Sequence, residues 1–202
     1  SAHFWRFAPL GFAQIGGFMA VQSLWSGAWL MQVNGYSRSE AADHLAAMSA
    51  AMIVAYVLIG LLATGLARRG IGPLHLLVGA LLCSLLTLLA ILTQGGEYAF
   101  FLWMAYGVFS SFGTLAYSQT AAGFPSHLSG RANATFNLMV FLGAFGLQWG
   151  MGLLIAWLGT LGFSVAAAHR NTFLALLILQ ATALAWLLWP RRYRTADPSG
   201  SR

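Results

Sequence analysis

Side chains able to orient a small solute recur in this sequence at helical spacing. Gln14, Phe18, Gln22 and Trp25-Ser26 follow one another every three to four residues, as do Trp103, Tyr106, Ser110, Thr114 and Tyr117-Ser118. Asn133, Asn137, Phe141, Ala144 and Gln148 make a third row, and Met48, Met52 and Tyr56 a weaker fourth. A period of about 3.6 residues brings each row to one face of a helix. Amides and hydroxyls hydrogen-bond a ligand, and indole and phenol rings offer apolar or cation-binding faces, so the chemistry on offer is recognition. Gln22, Trp25, Ser110, Thr114, Tyr117, Asn137 and Gln148 are therefore the candidates for a solute cavity.

Groups that would break bonds or hold metals are not arranged for it. His3, His44, His75, His127 and His169 include no pair at i, i+4, so no metal site is expected. Gly162-Phe163-Ser164, with His169 nearby, is a fragment of a nucleophile motif without the flanks of a nucleophile elbow. The chain is read as a non-enzyme that needs no cofactor. Glu40, Asp43, Glu97 and Asp197 all fall in predicted loops or the tail, so no carboxylate is expected at mid-membrane to carry a proton or cation.

The elements that must position these residues follow from composition. Of 202 residues, 59% are apolar and 7% charged, too few charges to cover a soluble fold, so lipid is the expected solvent. The charge of +6 comes from arginines set singly or in pairs beside apolar runs. That distribution suits anionic lipid headgroups and argues against a nucleic-acid partner. One cysteine, Cys83, excludes an intrachain disulfide.

Six apolar runs have the length of about 20 residues that a membrane-spanning helix needs: 7–33, 42–66, 74–93, 99–122, 134–161 and 171–189. They make one bundle over 1–190, and the polar tail 191–202 is expected to be disordered and cytoplasmic. Ser37 or Ser39 is placed to cap the second helix, with Glu40 and Asp43 at its positive end. The third helix is apolar almost all round, as is most of the sixth, so these two are expected to face lipid. Gly143, Gly146 and Gly150 share a side of the fifth helix, and the GxxxG spacing of the last two predicts close helix packing there. Trp25, Trp103, Trp149, Trp157 and Trp189 include expected interface anchors.

With the amino terminus inside, Arg6, Arg68, Arg69, Arg131, Arg191, Arg192, Arg194 and Arg202 fall on the cytoplasmic side, leaving Arg38 and Arg170 outside. Both ends of the segment are then cytoplasmic. The chain begins Ser1-Ala2-His3 without a signal peptide, which reads as a piece of a longer protein.

Between the second and third helices, the run Gly60-Leu61-Leu62-Ala63-Thr64-Gly65-Leu66-Ala67-Arg68-Arg69 resembles the cytoplasmic signature G-x-L-A-D-R-x-G-R-R/K of the major facilitator superfamily. Gly60, Leu62, Ala63, Arg68 and Arg69 match, while Thr64 stands for the acid, Gly65 for the first base and Ala67 for the glycine. Ser23 to Leu30 looks like the end of a seventh helix in bacterial members, and Phe124-Pro125 through Arg131-Ala132-Asn133 looks like their tenth-to-eleventh loop. The resemblance implies an all-α membrane fold, six transmembrane helices built as two inverted three-helix repeats. It further implies the carboxy-terminal half of a secondary transporter that moves a small solute by alternating access, in the bacterial inner membrane. Its partners would be the lipid bilayer, the solute and the missing amino-terminal six-helix half. The first, second, fourth and fifth helices would line the cavity, and Gly60, Leu62, Ala63, Arg68 and Arg69 would form a cytoplasmic gate loop. The other expectation the sequence carries is a self-sufficient six-helix protein acting as a homo-oligomeric pore or scaffold, with Gly146 and Gly150 as its subunit contact.

Overall fold

Local signals end and begin the helices where turn chemistry requires. The Ser37 hydroxyl accepts from the Glu40 N–H at 3.3 Å and the Glu40 carboxylate accepts from the Ser37 N–H at 2.8 Å. This reciprocal capping box makes Ser37, not Ser39, the start signal of the second helix. Two helices stop on glycines with φ of +84° at Gly70 and +87° at Gly162. The next N–H in each case reaches back six-to-one, Ile71 to Leu66 O at 3.0 Å and Phe163 to Leu158 O at 3.2 Å. A side chain at either glycine would strain that turn. Pro73 then occupies the first turn of a helix, where its missing N–H costs nothing.

The computed structural model describes residues 1–94 and 96–189, apart from the side chains of Leu62, Ala63, Thr64 and Ala67. The predicted tail 191–202, with four of the counted arginines, lies outside the described residues, as do the side chains of Leu62 and Ala63 in the gate motif. Six helical rods account for nearly all the rest: α1 over residues 2–32, α2 Arg38–Arg68, α3 Pro73–Thr93, α4 Gly96–Ala121, α5 Ser126–Thr160 and α6 Val165–Leu188. No strand occurs among the described residues.

Five of the rods, α2 to α6, are long and apolar enough to cross a membrane. The expectation of six spans thus meets one helix, α1, of sufficient length but lower hydropathy, and its place in the bundle explains the difference. Gln14, Gln22, Ser23, Ser26 and Gln32 interrupt its apolar run. It packs on α2, α4, α5 and α6, and its Leu10, Ala20, Val21 and Leu30 are wholly buried. A helix shielded by protein tolerates polar side chains that lipid would reject.

The remaining pairs are α2 on α4, α3 on α4 and α6, α4 on α5, and α5 on α6. Helices α3 and α6, expected to face lipid, keep exposed apolar sides, at Leu82, Leu86 and Leu89 on α3 and at Leu174, Ile178 and Leu188 on α6. In their most apolar windows 33% and 39% of residues are buried, against 17% for α2 and 22% for α5, so α2 and α5 are the least covered helices. Helices α3 and α6 contact one another, and their Ser84, Thr87, Thr172 and Gln180 are buried, Ser84 against Ser110 of α4 and Gln180 against Ala13 of α1. The ends of α1 and α6 are joined by side chains that satisfy main-chain carbonyls. Arg6 Nε–H donates to Leu187 O at 3.1 Å, placing a positive group at the negative end of α6, and Trp186 Nε1–H donates to Trp5 O at 2.9 Å.

Candidate functional site

The contact that positions the site is the crossing of α1 over α5. A Cβ on Gly16 would lie 2.6 Å from Val140 O and 2.7 Å from Ala144 N, and one on Gly143 would collide with the Phe12 carbonyl. Backbones therefore touch at Gly16 and Gly143. The GxxxG expectation named the wrong glycines: Gly146 meets only Phe12 Cζ at 4.0 Å, and Gly150 has nothing within 4 Å. Spacing along one helix cannot tell which small residue meets the neighbour, because that depends on where the helices cross.

Helix α1 is not a regular α-helix. It is π-helical over Gly11–Gly16 and again over Val21–Trp25. Each widened turn accommodates an extra residue, so side chains beyond it rotate away from the face an unbroken 3.6-residue period gives them. This splits the expected row. Gln14 and Phe18 are buried, whereas Gln22 and Trp25 are half-buried. The Gln14 amide donates to Gln180 O at 3.4 Å, and the Gln180 amide donates to Ala13 O at 3.1 Å, inside the first π segment. An amide in the middle of the apolar sixth run was the available signal for Gln180, since an amide in hydrocarbon must face protein or water.

The row on α4 also turns inward for the most part. Trp103 and Tyr106 are wholly buried in the core with Phe18 and Phe173, so they belong to packing and not to a cavity, and Trp103 is no interface anchor. The Ser110 hydroxyl lies 2.9 Å from that of Ser84 on α3. Ser110 is half-buried and turned toward α3. Thr114 is exposed, in the 3-10 turn Phe112–Thr114, with its hydroxyl donating to Ser111 O at 2.9 Å.

What the structure does bring together are two groups on the open side of α5. Near one end, the Tyr117 hydroxyl donates to Asn137 Oδ1 at 2.7 Å, with the Tyr117 ring edge-on to Phe136 at 4.9 Å. Farther along, Trp25 Nε1–H donates to Gln148 O at 3.0 Å. The Trp25 ring meets His169 edge-on at 6.1 Å and rests over Gly152, where a Cβ would stand 3.4 Å from Trp25 Cζ2. Trp25 and Gln148 then line a groove of about 510 Å³ with Leu24, Phe145, Trp149 and Gly152. No protein, family model or solved structure compared with this chain matches it.

The seven candidates do not converge on one point. Asn137 and Gln148 are eleven residues apart, about 16 Å along the axis of α5, with exposed Phe141 between them. Gln22 has its carbonyl engaged by the Ser26 hydroxyl at 3.4 Å. Of the gate motif, Gly60 and Arg68 belong to α2 itself, so the expected loop is helical as far as Arg68, and the turn begins at Arg69. Arg68 and Arg69 are exposed at the negative end of that helix. His169 was placed in a predicted loop because Arg170 ends the apolar run, yet α6 begins at Val165 and buries it, with Nδ1–H donating to Val165 O at 2.8 Å. Ser164, the serine of the partial nucleophile motif, caps that helix by accepting from the Ala167 N–H at 3.3 Å.

Proposed function

We propose that these six helices are one half of a secondary transporter of the major facilitator type, passing a small solute between two bundles. The observation that carries this reading is the uncovered side of α5. Asn137 and Phe141 are exposed and Gln148 half-exposed, on a helix otherwise apolar enough to lie in a membrane. Amides facing hydrocarbon are costly, so this side is read as meeting water or a second bundle. The low coverage of α2 and α5 supports the same reading, because these are the helices a partner bundle would flank.

The packing pattern gives further support. Exchanging α1, α2 and α3 with α4, α5 and α6 carries the pair α1/α5 into α4/α2, α1/α6 into α4/α3 and α1/α2 into α4/α5, each of which occurs. Only α5/α6 lacks its counterpart among the stronger contacts. Such near-invariance is what two three-helix repeats produce. The resemblance of the Gly60 to Arg69 run adds to it, and the arginine distribution fits a bacterial inner membrane with both ends of the segment inside. In this reading the Tyr117/Asn137 pair lies toward the cytoplasmic opening and the Trp25/Gln148 groove toward the outer one.

A second reading is favoured by one observation: Gly146 and Gly150 are open on α5, a small-residue surface on which a second copy of the bundle would fit. The intact mass of the native protein separates the two. The transporter reading expects a polypeptide of about twice 21.7 kDa, in keeping with a second bundle of six spans, whereas a 21.7 kDa chain found in multiples would favour the oligomer. Vesicles carrying the full protein should then take up a solute saturably. Asn137→Leu should lower that uptake roughly tenfold, a cost of about 1.4 kcal/mol, at unchanged membrane expression. Equal uptake by the variant would remove Asn137 from the path.

A further inference from the structure

On the transport reading just given, we infer that the groove between α1 and α5 takes an uncharged, ring-bearing solute with an amide or similar donor-acceptor edge. The groove has the volume of a small-molecule site. Its lining offers ring faces from Trp25, Trp149 and Phe145 and carries no ionisable side chain. An ion entering it would lose hydration with no counter-charge from α1 or α5 in return, which selects against both anions and hard cations. A planar neutral molecule loses little and gains ring contact.

The polar end of the site is the Gln148 carboxamide. Its main-chain carbonyl is engaged by Trp25, but its side chain makes no hydrogen bond to any described residue. A free carboxamide presents one acceptor and two donors, the complement of an amide edge on a ligand. Trp25 is held ready by three contacts: its N–H on Gln148 O, its edge against His169, and its benzo carbons over Gly152. Gly152 has a place here that spacing could not reveal, since even a Cβ at this position would already be in van der Waals contact with the indole. Specificity for the amide edge follows because a ligand that covers the carboxamide without pairing it strips its water and returns no hydrogen bond.

The test uses the full protein in membrane vesicles with Cys83→Ser, so that Leu153→Cys at the groove rim is the reporter thiol for a membrane-impermeant maleimide. Three bicyclic probes of similar size differ in charge: 1-naphthamide is neutral, 1-naphthylmethylammonium a strongly hydrated cation and 1-naphthoate anionic. Naphthamide at roughly ten times its Kd should slow labelling about tenfold by mass action, and the two ions should not. Adding Gln148→Leu should abolish that protection. Protection by either ion instead, or labelling that none of the probes slows, overturns the inference while leaving a water-filled transport path intact. Failure of Leu153→Cys to label at all overturns both the inference and the transport reading.

Discussion

Gly143→Leu is expected to abolish the folded bundle, while Gly146→Leu leaves it intact. The leucine Cβ at 143 would coincide with the Phe12 carbonyl, a main-chain atom that cannot rotate aside, and the same crossing is closed from the other helix at Gly16. Overpacking where side chains can adjust costs about 1 to 3 kcal/mol, and a backbone contact belongs at or above the top of that range. Leucine favours a helix over glycine by up to about 1 kcal/mol, so α5 alone would gain and any loss must come from the crossing. Gly146 faces open space apart from the rim of Phe12, so its substitution should be neutral or slightly stabilising. Folded yield on size exclusion in detergent, followed by thermal unfolding, reads the difference. Equal behaviour of the two variants would remove the α1/α5 contact as the seat of the bundle.

The second large effect is expected at Trp103. Its side chain is wholly buried, edge-on to Tyr106 at 6.0 Å and to Phe173 at 6.4 Å. Trp103→Ala should cost about 3 to 5 kcal/mol through lost contact and the cavity left behind. Trp149, 71% exposed at the groove, should lose less than about 1 kcal/mol of stability on the same change, as surface substitutions do. Chemical denaturation in mixed micelles measures both. Were Trp149→Ala the more damaging, the division between core and groove would be reversed.

These two comparisons also mark where sequence reasoning reached and where it stopped. Helix positions were legible because apolar length and turn chemistry are properties of the chain itself. The run 74–93 is α3 Pro73–Thr93 almost to the residue, and Ser37 with Glu40 spelled its own cap. The start of α5 was missed by eight residues, since Arg131 and Asn133 end the apolar run while Ser126–Thr160 continues as helix. At about 52 Å that helix outruns the hydrocarbon layer, so polar residues in its first turns sit outside it.

Which side of a helix meets which neighbour was much less legible. The rows on α1 and α4 assume an unbroken 3.6-residue period, and α1 breaks it twice with π turns while α4 breaks it at Phe112–Thr114. The Gln14 end of the α1 row turns to α6, and Ser110, ahead of the break in α4, turns to Ser84 because α3 packs on that side. Asn137 and Phe141 kept an open side because α5 is uninterrupted and its crossing partner α1 closes on the side of Phe136, Val140 and Gly143. Gly152 and His169 carried no one-dimensional signal, because each acts by touching Trp25 from another helix.

The central claim is that the open side of α5 meets water from both ends of the membrane in turn. Single cysteines on the Cys83→Ser background test it directly, at Gln148 and Asn137, with Leu86 on the exposed apolar side of α3 as the lipid-facing reference. A membrane-impermeant maleimide should modify Gln148→Cys from the outer side and Asn137→Cys from the cytoplasmic side, both far faster than Leu86→Cys. If both are as inert as Leu86→Cys, the polar row of α5 faces lipid or protein and the transport account is wrong.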